Sequence, residues 1–373
     1  MIHLVLDTNI FTADARLRNS EFWVIENLAK AKFLTLHVPY VVEQEFLSQR
    51  EQQVKDHVDP AIRSLGQLSK KALSPEINVW LKSALSSLQE KRKEIISSAG
   101  LFFEDWLKSI DAQKVSICAT QSRAAMEAYF KGHPPFRQPK TRDDIPDSFI
   151  FQAIRKIANE IKGSTICFVS ADKKLRMAAA DLPSVAVFET LRAFVASDEA
   201  QSAIESNDPL GNLSFIKSRL AITPEHSSGL MAEVKSLLGE EVIWKTLEYT
   251  GWSNNSDEAT ITSYGEPEDP NFDWSDLEYY GEKRFVLPFN VNLPVTATFY
   301  IYKADYWIFE EDEGYLPAVS DHNDHVYEAE AEIMIKVEGR LAFEVNSNHE
   351  SKEFEVDFET AEIDSVWSIE VCE

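Results

Sequence analysis

Ile2-His3-Leu4-Val5-Leu6-Asp7-Thr8-Asn9 decides how the first half of the chain is read. A short run that is mostly apolar on both faces and closes on an acid is the pattern of a strand buried between helical layers. In open parallel sheets ligands gather at the carboxyl ends of such strands, near the point where strand order reverses. Residues 34–38, 165–169 and 185–188 repeat the apolar pattern. Between the second and third runs, residues 44–132 are polar and helix-forming, with periodic Leu, Ile and Trp, which predicts amphipathic helices covering the sheet. Strands alternating with helical stretches predict an α/β class, a three-layer α/β/α domain around a parallel sheet with a helical insertion at about residues 48–132.

Outward from that core, 373 residues suggest two domains. The composition turns to Ser, Asp, Glu and Asn near residues 197–209, which places a first domain at 1–197 and a helical linker at 198–241. From residue 242 onward the pattern changes to period two, as in Pro294-Val295-Thr296-Ala297-Thr298-Phe299-Tyr300-Ile301 and Phe354-Glu355-Val356-Asp357-Phe358. That predicts a smaller antiparallel, β-rich (α+β) domain over 242–373, with one solvated sheet face. Residues 334–337 and 340–345, separated by Glu338-Gly339, read as a hairpin, since Gly accepts the positive φ of a tight turn.

The net charge of -25 hides a division. Residues 1–197 carry 27 Lys and Arg against 23 Asp and Glu, a balance of +4, and residues 198–373 carry 10 against 39, a balance of -29. The first half can approach a polyanion that the second would repel. Three dispersed cysteines with no CxxC pair argue against a disulfide framework or a cysteine zinc site and for a reducing, cytoplasmic setting. No apolar run approaches the roughly 20 residues of a membrane helix, and Asp7 interrupts what would be a signal peptide, so a soluble, unprocessed chain with no membrane partner is expected.

Asp7 alone is ambiguous, because strands ending in Asp also serve P-loop enzymes, receiver domains and phosphatases. No GxxxxGK[ST] loop is present, and Asn9 stands where the phosphatases place a second aspartate. Carboxylates recur at the ends of other elements: Glu45 after the second strand, Asp147 at the start of a helix and Asp172 after the third strand. A right-handed doubly wound sheet brings all four to one edge. Clustered carboxylates without thiols or suitably spaced His suit Mg²⁺ or Mn²⁺, ions that orient a phosphodiester and activate water for in-line attack.

In these residues the sequence resembles the PIN-domain nucleases, a metal-dependent superfamily that includes VapC-type toxins and the catalytic domains of some RNA-processing factors. The resemblance covers roughly residues 1–197 and rests on Asp7-Thr8-Asn9, Glu45, Asp147 and Asp172 in that order. The stretch from Gly132-His133-Pro134-Pro135-Phe136 to Asp147-Ser148 is similar to a bacterial branch with a long helical insert, in which an acid three residues before the motif Asp makes Asp144 a fifth ligand. The resemblance implies a Mg²⁺- or Mn²⁺-dependent phosphodiester hydrolase that leaves 5′-phosphate and 3′-hydroxyl ends, with RNA the favoured substrate. A structure-specific or single-strand DNase and a non-catalytic binding protein are the alternatives. Two departures stand out. Asp172-Lys173-Lys174-Leu175 puts Lys174 where the family often has a further acid, and Glu45 and Asp144 lie 99 positions apart.

Each of these acids has a plainer reading as a helix cap or a solvated side chain, and Glu43 competes with Glu45. Thr8, Asn9 and Ser170 are expected to orient the acids by hydrogen bonds, and Arg137, Lys140 and Arg142 to meet substrate phosphates. His37 reads as a core histidine, and Asp321-His322-Asn323-Asp324-His325 as a solvated acidic loop. The second half holds five of the eight tryptophans, and Glu328, Glu330 and Glu332 fall on one strand face. That face is either a solubilising surface or a nucleic-acid mimic for a basic protein partner or for the nuclease site itself.

Overall fold

Strand β1 (Ile2–Leu6) is the centre of a five-stranded parallel sheet in a computed structural model that describes residues 1–71, 73–136, 138–140, 144–161, 163–207, 217, 220, 224–248, 257–306, 318–348 and 353–372. The chain divides into two units, Met1–Asn207 and Asp208–Glu373. In the first, β1 is followed by α1 (Thr8–Ala13) and α2 (Ser20–Lys30), β2 (Leu34–Pro39), and the long helices α3 (Tyr40–Leu68) and α4 (Pro75–Ser109). Then come β3 (Gln113–Val115), α5 (Ala119–Lys131), α6 (Ile145–Glu160), β4 (Ile166–Val169), α7 (Lys173–Ala180), β5 (Val185–Phe188), α8 (Leu191–Val195) and α9 (Asp198–Asn207).

The strand order is β3-β2-β1-β4-β5, and Leu4 pairs with Leu36 on one side and Cys167 on the other. The chain therefore builds outward from β1 to β3 and then returns to the opposite side of β1. Between β1 and β4 lies the reversal point, where a crevice opens at the carboxyl ends of an α/β sheet. The expected α/β/α layering is what the fold shows. One strand was not expected: β3, three residues on the edge that pair His37 with Gln113 and Pro39 with Val115. Its Gln-Lys-Val sequence is too short and polar to stand out from the helical pattern around it, and it interrupts the stretch read as helical insert. The insert's helices also start earlier, because α3 follows β2 without a break.

Local chemistry sets the helix ends. Asn19 Oδ1 accepts the Phe22 N–H at 3.0 Å to start α2, Ser74 followed by Pro75 starts α4, and Gly132, at φ 68°, stops α5. Beneath the carboxyl edge, Phe11, Phe22, Phe46, Phe103 and Trp106 form one aromatic core with ring centroids 4.5–6.4 Å apart. Phe11 lies on α1, two residues past Asn9, and Phe46 adjoins Glu45, so this cluster anchors both elements that carry candidate residues.

The second unit has helix α10 (Pro224–Val242) and antiparallel strands β6 (Thr246–Glu248), β7 (Glu258–Tyr264), β8 (Glu268–Phe272), β9 (Glu278–Gly281), β10 (Arg284–Tyr302), β11 (Ala318–Asp321), β12 (Val326–Asn348) and β13 (Glu353–Val371). In β10, Leu293, Val295, Ala297, Phe299 and Ile301 are buried, and Thr296, Thr298 and Tyr300 face the other way, the period-two pattern read from sequence. The hairpin expected at Glu338-Gly339 is absent. β12 runs straight through it, with Gly339 opposite Phe289. Gly339 serves close approach rather than a turn, since a Cβ there would lie 2.6 Å from Ser365 O and 2.9 Å from the Phe289 ring. The tight turn is Glu282-Lys283 between β9 and β10, where both residues take positive φ (42° and 70°) without an Asn-Gly signature. Among the described residues, no helix is long and apolar enough to cross a membrane.

Candidate active site

Asp7 ends β1 and caps α1, and at 4% exposure it is almost wholly buried. Its Oδ1 accepts the Thr8 N–H at 2.7 Å. Its Oδ2 accepts the Ser170 hydroxyl at 2.5 Å and the Asn9 amide at 2.6 Å. Both oxygens are thus fixed in direction. Burial raises the Asp7 carboxyl above its ordinary pKa, against the pull of these three donors, with Asp172 adding to the rise.

Ser170 follows β4 and is fully buried. It donates to Asp7, and its Oγ accepts the Asp172 N–H at 3.0 Å. Asn9 closes the bridge from the other side, where its Oδ1 accepts the Ala171 N–H at 3.1 Å. Two adjacent parallel strands are in this way stitched together just past their carboxyl ends. Asp172 caps α7, its Oδ1 accepting the Leu175 N–H at 2.8 Å, so the plain capping role and proximity to Asp7 hold together.

Glu45 lies in the second turn of α3 and accepts the Thr8 hydroxyl at 2.8 Å. Its pKa is raised, first by burial and then by Asp7, with the Thr8 bond pulling the other way. Glu43 takes a different course: buried, it pairs with Lys114 of β3 at 2.5 Å. The structure thus separates two acids that the sequence leaves in competition. Lys114, and Arg176, which donates to Ser170 O at 2.6 Å and reaches Glu189 at 3.3 Å, are supports that sequence reading missed. For Arg176 a signal existed, since it sits one helical turn past Asp172.

Asp147 is in the first turn of α6, and its pKa is pushed up to about 7, by burial first and then by Asp7, Asp172, Asp144 and Glu45. Four other acids are therefore within electrostatic reach of Asp147. Asp144, at the start of α6, is buried; its Oδ1 lies 3.4 Å from Lys174 Nζ and its Oδ2 has no hydrogen-bond partner. Ser148 Oγ, on the same helix, is likewise buried and unpartnered. Among the described residues, no three His, Cys, Asp or Glu side chains converge tightly enough to enclose an ion. Repulsion between like charges favours that spacing.

A divalent ion fits the chemistry of this edge. The donors are all hard carboxylate oxygens, one of them buried with an open valence, and burial together with neighbouring carboxylates raises the pKa of Asp7, Glu45 and Asp147. Lys140 is exposed in the turn after α5, its N–H on Tyr129 O, with no contact to the acids, and Arg137 and Arg142 lie outside the described residues. His37 is half-buried and hydrogen-bonds His3 at 3.1 Å, and burial lowers its pKa to about 4. His322 packs on the Tyr300 ring at 4.6 Å. Of the tryptophans in the second half, Trp252 and Trp307 lie outside the described residues.

Residues 4–175 match the family model of the PIN domain, a span that includes all five acids and Lys174. No curated protein and no solved structure matches the chain.

Proposed function

Because residues 4–175 belong to the PIN-domain superfamily, whose members are generally metal-dependent nucleases, we propose that this chain is a Mg²⁺- or Mn²⁺-dependent endoribonuclease. Asp7, Glu45, Asp147 and Asp172 are its ion-holding acids, with Asp144 beside them against Lys174. The observation that carries this reading is the convergence of Asp7, Glu45, Asp147 and Asp172 from the ends of β1 and β4 and the starts of α3 and α6, where burial and the neighbouring carboxylates push Asp147 up to about 7. A fold gathers such unbalanced charge where a cation and a phosphodiester meet. When bound, a divalent ion would draw charge from the scissile phosphate and acidify a nearby water.

The chain's own residues do the rest. Ser170, Asn9 and the Thr8 N–H hold Asp7 in one orientation, and Thr8 Oγ1 does the same for Glu45. Asp147, whose carboxyl is held high by burial and by its neighbours, is the acid whose charged form a divalent ion would stabilise most. Lys140, with Arg137 and Arg142, supports the reading as a basic approach for substrate phosphates from the segment before α6.

The test is cleavage of matched end-labelled single-stranded RNA, single-stranded DNA and flap DNA with Mn²⁺, comparing wild type with an Asp7→Asn, Asp172→Asn double variant. The reading expects metal-dependent cutting of RNA that the variant lacks, with 5′-phosphate products. Preference for either DNA would overturn the ribonuclease assignment. Absence of cutting and of ion binding would leave the site a binding surface.

A further inference from the structure

We infer that Lys174 is a resident cation of this edge, an ammonium that stands in for a second divalent ion, so that the chain binds one such ion rather than two. The inference rests on the nuclease reading above.

Lys174 sits in the first turn of α7, two residues past its cap Asp172. A helix N-terminus carries partial positive charge, so a lysine there is disfavoured unless anions face it. Its neighbour Lys173 avoids the conflict by pointing to solvent. Lys174 does not: its side chain is about two-thirds covered, at 32% exposure, and its Nζ lies 3.4 Å from Asp144 Oδ1.

Asp144 supplies the second observation. Its side chain is 11% exposed, and Oδ2 is a buried carboxylate oxygen with no partner in a network where Asp7, Glu45 and Asp172 each accept a hydrogen bond. Among the described residues, Lys174 is therefore the cation facing that oxygen's carboxylate. Two nearby cations are engaged elsewhere, Arg176 with Ser170 O and Glu189 and Lys114 with Glu43. A lysine is a compact point charge with three donors on a flexible stem, able to follow a carboxylate that lies off its own helix.

The two charge carriers exclude one another. A divalent ion against Asp144 would have to displace the ammonium, leaving it unpaired at the positive end of α7, or lie beside it and be repelled. The remaining acids, Asp7, Glu45, Asp147 and Asp172, are left to one ion.

Calorimetric titration of the full chain with Mn²⁺ tests this directly in wild type, Lys174→Arg, Lys174→Met and Lys174→Asp. Wild type and Lys174→Arg should bind one ion. Lys174→Asp should bind two. In Lys174→Met, loss of the tethered charge should tighten the first ion by about five- to tenfold, the range of a modest coupling between sites. Equal stoichiometry and dissociation constants within twofold across the series would overturn the inference and leave the nuclease reading standing. Failure of wild type to bind any Mn²⁺ would remove both. A Lys174→Met variant that loses affinity for an uncleaved oligoribonucleotide while its Mn²⁺ binding is unchanged would reassign Lys174 to substrate phosphate and overturn the inference as well.

Discussion

At the β1–β4 edge, five carboxylates gather, and Asp7, Glu45 and Asp172 among them accept hydrogen bonds. Asp7 takes three hydrogen bonds, Glu45 takes one from Thr8, and Asp147 is pushed to about 7 by burial first and then by the other four. Along β12 of the other unit, Glu328, Glu330 and Glu332 alternate with Ala329 and Ala331 on a face shared with Thr296, Thr298 and Tyr300 of β10. Glu330 and Glu332 are exposed, and half-buried Glu328 accepts the Tyr300 hydroxyl at 3.3 Å. The second unit is by far the more acidic in sequence, yet charge density there follows from a solvated sheet face. What distinguishes the first edge is acids brought together by element ends from distant sequence, with Asp7 and Glu45 held by hydrogen bonds and Asp7, Glu45 and Asp147 bearing a cost of desolvation.

The largest expected effect breaks that comparison if it fails. Asp7→Asn should cut metal-dependent cleavage at least about a thousandfold, the scale of losing a metal-ion or electrostatic contribution in the transition state. Replacing Glu328, Glu330 and Glu332 together by Gln should change it less than twofold. Equal losses from the two sets, measured as initial rates on one labelled RNA, would mean that the acidic face takes part in the reaction.

The second unit does contain acids that matter for folding, away from its exposed row. The Asp364 side chain is fully buried against Arg340 at 2.7 Å, and Arg340 also reaches Tyr280 at 3.2 Å and Ser365 at 3.2 Å. Arg340→Met should cost about 3–5 kcal/mol, because it removes the buried cation that faces the buried Asp364 carboxylate. Each Glu→Gln on the β12 row should stay within about 0.5 kcal/mol, as solvent-exposed substitutions do. Chemical denaturation of the full chain measures both; a mild Arg340→Met would show that Asp364 finds other partners or a proton.

Sequence made the first edge legible because its acids follow apolar strands, where topology delivers whatever stands at the carboxyl end. Strands β1, β2, β4 and β5 were readable for the same reason, being apolar on both faces. β3 was not, since three residues of which two are polar carry no periodic signal. Glu45 and Glu43 could not be separated, because the choice is made by Thr8 and Lys114, 37 and 71 positions from their partners. The pairing of Lys174 with Asp144 is hidden for a similar reason: it depends on how α6 and α7 pack. Gly339 was read as a turn because a glycine's sequence signature is the same whether it supplies positive φ or room for a facing ring.

The smallest effect is also the sharpest, because it depends on coupling between the acids. Asp147 titrates near 7 in the fold and near 3.8 when unfolded. Between those values the native state holds a proton that the unfolded chain has released, so stability falls as pH rises from about 4 to about 7 and stays low above it. Asp147→Asn removes the titration. Without divalent ions, the variant should be more stable than wild type by about 1–2 kcal/mol at pH 8, a figure reduced for the partly exposed position of the group, with little difference at pH 4. Mn²⁺ should close the gap by stabilising wild type more than the variant. Thermal melts at the two pH values, with and without the ion, decide the matter: an advantage independent of pH would mean that the introduced asparagine helps merely as a helix residue, and that the acids at this edge do not press on one another as the comparison requires.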